Sequence, residues 1–101
     1  MIVSCERSGG FAGLRMKWVV NSDDLPDSDR SELEQLLKSA DFFNSPQHIR
    51  APPGAADIFH FKIMVADGAR AHSIDVDQTV MPEQLKPLMQ WLRARARPAG
   101  Q

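Results

Sequence analysis

The 101-residue sequence has no tyrosine, a single cysteine and no excess of either charge. One cysteine, Cys5, cannot close an internal disulfide; in an alternating apolar segment it reads as a buried structural thiol with no chemistry of its own. No stretch approaches the ~18 consecutive apolar residues of a membrane-spanning helix, so no such span is expected. With 12 basic against 13 acidic residues the net charge is −1, too little for a global field that would draw in nucleic acid or an acidic membrane. The start, "MIVSCER", lacks a basic region followed by an apolar run and a small-residue cleavage site, and a cytoplasmic location is expected. There is also no histidine-glutamate zinc helix, no paired cysteine knuckle and no glycine-lysine phosphate loop. No catalytic residue, metal ligand or cofactor is assigned.

What is present fits an ordinary globular chain. Hydrophobic residues make up 43% and charged residues 25%, which predicts one domain over 1–101 with one core. In "LRMKWVV" the residues Leu14, Met16, Trp18 and Val20 alternate with Arg15, Lys17 and Val19, the period of a strand with one dry face. "IVSCER" puts Val3 and Cys5 on one face and Ser4 and Glu6 on the other, so the two segments read as a hairpin joined by "RSGGFAG", Arg7 to Gly13. After the turn-rich "NSDDLPDSD", Leu33, Leu36, Leu37 and Ala40 recur at helical spacing, predicting a helix from near Pro26 or Ser28 to Ala40 with acidic residues at its positive end.

"DFFNSPQHIRAPPGAAD" is a long loop, because Pro46, Pro52, Pro53 and Gly54 oppose any continuous helix or central strand. Phe42 and Phe43 at its start read as core plugs. In "DIFHFKIMVADGARAHSIDVD" the alternation of Phe59, Phe61, Ile63 and Val65, a turn at Asp67-Gly68, and then Ile74 and Val76 predict a second hairpin. A two-residue turn there sets Phe59 opposite Val76 and Phe61 opposite Ile74. The final segment puts Leu85, Leu88, Met89 and Leu92 on one helical stripe with Trp91 at its edge; Pro82 suits a first turn, and Pro87 marks either a kink or the true start. The expected fold class is α+β, a four-stranded antiparallel sheet of two hairpins with two helices packed on one face, ββαββα.

The same register sets His60 across from Asp75 on the wet side, with His72 on the opposite face. A triad completed by Ser73 has no pocket, and a cross-strand polar pair is the expected role. "SGGFAG" joins two strands, where a dinucleotide fingerprint requires a strand-to-helix turn, and "RARAR" reads as a solvated, dipole-compensating helix end rather than a phosphate contact.

Taken in order, "MIV", "RSGGFAG", "ELEQLLKSADFF", the second hairpin and "MPEQLKPLMQWLRARAR" resemble the emfourin family over nearly the whole chain. The resemblance implies a proteinaceous inhibitor of thermolysin-like, protealysin-type zinc metallopeptidases: not an enzyme, without cofactor or metal, with the peptidase as partner and no nucleic acid or membrane. Together with the loop's own composition, a phenylalanine on a glycine-rich tip, it points to Ser8, Gly9, Gly10, Phe11, Ala12 and Gly13 as the partner-binding loop, occluding the active-site cleft. Phe11 would enter an apolar pocket while its small neighbours allow close approach. Two alternatives stand beside this reading: Phe11 folds back over the end of the sheet, or the chain is an interaction module for an unrelated partner, using an exposed sheet face or the long loop.

Overall fold

The computed structural model describes residues 1–9, 15–52 and 58–95, together with the backbone of 97–99. Its strands are β1 (Ile2–Gly9), β2 (Met16–Asn21), β3 (His48–Ile49), β4 (Phe59–Asp67), β5 (Arg70–Asp77) and β6 (Arg97–Ala99), and its α-helices are α1 (Asp27–Ser39) and α2 (Lys86–Arg95). The sheet runs β3-β5-β4-β1-β2-β6. Both expected hairpins form, and they join through β1 and β4. The expectation of four antiparallel strands is corrected: among the described residues the sheet has six strands and is mixed, because β3 pairs parallel to β5 and β6 pairs antiparallel to β2. Both additions are short edge strands, and Pro98 is tolerated in β6 because an edge has no second neighbour to receive its missing N–H.

The second hairpin is also shifted. Phe61 lies opposite Val76 and Ile63 opposite Ile74, with Asp67 still paired to Arg70, so the turn residues are Gly68 and Ala69 rather than Asp67 and Gly68. Gly68 has φ +61°, the left-handed backbone that a hairpin turn with glycine first demands. A shift of two residues keeps every side chain on its face. Burial therefore agrees with the alternation even though the partners change.

The core lies between the sheet and the two helices. Val3, Cys5, Trp18, Val20, Phe61, Ile63, Val65, Ile74 and Val76 meet Leu33, Leu37, Ala40, Leu85, Leu88 and Leu92. Phe42 is enclosed at 1% exposure while Phe43 only packs against the cluster's rim. Acidic Asp27 and Asp29 open α1 and Lys38 closes it, each matching the helix dipole. Asp41, at φ 50°, then turns the chain away. Pro87 occupies the first turn of α2, where its missing N–H leaves no bond broken, so it marks a start and not a kink. Trp91 Nε1 donates to Glu32 Oε1 at 2.8 Å, tying the helices together. The opposite face of the sheet is left open, with Ile2 and Met64 as its large exposed apolar side chains.

Candidate functional site

The end of β1, the start of β2, the start of β4 and the end of β5 share one edge of the fold. Of the expected loop, Ser8 and Gly9 are described: Ser8 lies opposite His60 and Gly9 opposite Phe59. Gly10, Phe11, Ala12 and Gly13 lie outside the described residues. Gly9 has φ +84°, and a Cβ there would sit 2.8 Å from the Ile58 carbonyl oxygen and 2.9 Å from His60 Cδ2. Only glycine satisfies both the backbone angle and that approach.

The residue that organises this end is Asp77. It is nearly enclosed, with one carboxylate oxygen accepting from the Ala51 N–H at 2.6 Å and the other paired with His60 Nδ1. The Ala51 hydrogen bond, then the His60 contact, hold its carboxyl below the usual carboxylate range. Asp77 thereby fastens the long loop to β4 beside Gly9. Phe59 N–H also reaches Gln78 Oε1 at 3.5 Å, adding a weaker tie at the same place.

The expected His60–Asp75 pair is not formed, for the reason that moved the register. His60 lies opposite Asp77, while Asp75 lies opposite Lys62 and beside His48, whose Nδ1 is 3.4 Å from Asp75 Oδ2. Ser73 faces Met64, so the residues of the hypothetical triad are separated. His72 does lie on the helix-covered face, its Nε2 2.8 Å from the Ser45 carbonyl oxygen. Cys5 is fully buried against Met89, and burial pushes its thiol up to about 12.

Sequence reasoning passed over Arg7. On β1 it continues the phase of Val3 and Cys5 and so enters the helix-covered face at its loop end. Its guanidinium lies 4.5 Å from the Phe59 ring centre and 5.6 Å from that of Trp18. The Nε is buried, with no hydrogen-bond partner among the described residues. The odd-numbered alternation itself was the signal: extended by one step past Cys5, it places an arginine among apolar neighbours.

On the open face, at the end of β1, lies a shallow depression of about 400 Å³, edged by Glu6, Ser8, Arg15, Arg50, His60 and Lys62 among others. A larger one of about 620 Å³ lies at the far end of the sheet, between Met1 and the Asp67–Arg70 turn. Both mix charges of either sign; the smaller also brings Ser8 opposite the His60–Asp77 pair. Among the described residues no cluster of His, Cys, Asp or Glu could hold a metal ion. No described helix is long and apolar enough to cross a membrane.

Among curated proteins no sequence matches the chain. Among solved structures it is similar to emfourin from Serratia proteamaculans, an M4 family peptidase inhibitor, at 18% identity and a TM-score of 0.49, over 95% of this chain and 89% of that one. A family model described as Emfourin matches residues 5–93, from within β1 to the last turns of α2. By that match across most of its length, the chain belongs to the emfourin family.

Proposed function

We propose that the chain inhibits thermolysin-like, protealysin-type zinc metallopeptidases by placing the Ser8–Gly13 loop in the active-site cleft. The observation that carries this reading is membership of the emfourin family over residues 5–93. The chain acts by binding and not by catalysis. It acts by occlusion and not by removing zinc, since no side-chain cluster among the described residues is arranged as a metal site.

The geometry at the loop's base supports the mechanism. Gly9 fits against Ile58 and His60 with no room for a side chain, and Asp77 ties the neighbouring segment to the same strand. A fixed base reduces the conformational freedom the loop loses on binding. Phe11, carried on that base, supplies the apolar anchor.

The test is Phe11→Ala, assayed for inhibition and thermal unfolding on one preparation. Truncating a buried aromatic anchor costs about 2–4 kcal/mol of binding, or roughly 30- to 1,000-fold in affinity. Inhibition should weaken by at least the lower factor with the melting temperature nearly unchanged. Lost stability with intact inhibition would instead assign Phe11 to the core. If wild-type chain in micromolar excess leaves several thermolysin-like peptidases fully active, the inhibitor reading itself fails.

A further inference from the structure

Arg7 occupies a position that the fold does not require it to fill. Its neighbours in phase on β1 are Val3 and Cys5, both at 0% exposure, and it pairs with Phe61 on β4 and Met16 on β2 while its guanidinium lies against the rings of Phe59 and Trp18. A charged group in such surroundings is costly unless it is paired. Among the described residues Arg7 enters no ion pair and its Nε has no acceptor. Packing does not explain the choice either, because a methionine of similar length would lie against Phe59 and Trp18 without the stranded donor.

Arg7 remains only half-buried, and Nε is the atom shut off from solvent. The two terminal nitrogens enter no ion pair among the described residues and lie at the loop end of β1, one residue before Ser8. The guanidinium carbon sits 4.5 Å from the Phe59 ring centre and 5.6 Å from that of Trp18, contacts that restrict the side chain and leave less freedom to be lost when it is engaged.

We propose that Arg7 is a partner-binding residue whose guanidinium receives a carboxylate at the rim of the peptidase cleft, beside the inserted loop. This rests on the inhibitor reading above. A carboxylate is the acceptor that matches two adjacent N–H donors in one plane. The aromatic flanks exclude water from the pair once the cleft closes over it. An arginine held by aromatic neighbours at the centre of a contact is also the side-chain chemistry that concentrates binding energy. The mismatch within the free protein is thus resolved in the complex.

The experiment compares wild type, Arg7→Met and Arg7→Lys for inhibition of one thermolysin-like peptidase, with thermal unfolding measured in parallel. Arg7→Met should weaken inhibition about 30-fold or more, while its melting temperature stays the same or rises. Arg7→Lys keeps the stem and the charge but loses the fork, and should remain at least about tenfold weaker than wild type. Arg7→Met inhibiting as wild type does, or Arg7→Lys recovering full affinity, overturns the assignment and leaves the inhibitor reading standing. So does a fall in the melting temperature of Arg7→Met, which would make Arg7 a prop of the fold. A wild-type chain that inhibits nothing overturns both.

Discussion

Gly9→Ala sets two costs against the native backbone, and a second glycine separates them. At φ +84° an alanine pays for a left-handed conformation, about 1–2 kcal/mol for a residue with a Cβ. The new methyl would also stand 2.8 Å from a carbonyl oxygen of the main chain and 2.9 Å from the His60 ring. The ring can swing aside, but the Ile58 carbonyl belongs to the entry of β4 and can move only by disturbing the Gly9–Phe59 pairing. Forcing extra volume into a packed site costs about 1–3 kcal/mol. The sum is about 2–5 kcal/mol. Gly68→Ala provides the control: its φ is +61°, with nothing within 4 Å of the added atom, so only the backbone cost of about 1–2 kcal/mol applies. Urea unfolding of the two variants beside wild type should show Gly9→Ala less stable than Gly68→Ala by about 1–3 kcal/mol. Equal losses would mean that the close approach at Gly9 is relieved without cost, and the rigid loop base would lose its main support. Under conditions where Gly9→Ala is still folded, its inhibition should also be weaker than that of Gly68→Ala, because only the former changes the base of the loop.

Asp77→Asn should destabilise the protein at neutral pH, and the gap from wild type should narrow in acid. The carboxyl is held low by Ala51 and His60, so its contribution is complete above the ordinary value of about 3.9 and is lost as pH falls through the lowered one. Unfolding curves at several pH values check this, and a gap independent of pH would contradict it. Cys5, with its thiol pushed up to about 12 by burial, should resist alkylation at pH 8, where about one molecule in ten thousand carries the thiolate, and should react once urea unfolds the chain. Rapid labelling of the native protein would show that the β1–α2 contact opens readily.

The central strands and both helices were legible because each carries a long periodic signal. α1 was expected from near Pro26 or Ser28 to Ala40 and runs Asp27–Ser39. The alternation of Phe59, Phe61, Ile63 and Val65 assigned the buried face correctly. It could not fix the partners, since a two-residue slip preserves the alternation and only the turn decides between registers. Reading Asp67 as part of the turn moved His60 from Asp77 to Asp75, and with it the polar pair at the site. β3 and β6 escaped notice because two or three residues contain no period, and Pro98 argues against a strand unless the strand is an edge. Arg7 was visible in the pattern but was taken as the start of a loop, where charge needs no explanation.

The departures from local expectation are not spread evenly through the fold. Asp41 and Gly68 also have positive φ, but the first ends a helix and the second turns a hairpin, and both serve connectivity. Gly9 does neither, since it ends a strand whose neighbour leaves no space for a side chain. Arg7, two residues earlier, places a cation where the strand's phase calls for an apolar group, and on the other face Asp77 puts a carboxylate almost out of water against His60, which lies opposite Ser8. Arg7 lowers stability relative to an apolar residue of similar length, so it needs an effect outside the folding of the free chain to retain it. On the inhibitor reading proposed above, the effect that accounts for Arg7 beside the fixed backbone of Gly9 is the presentation of a guanidinium to the partner at the base of the loop.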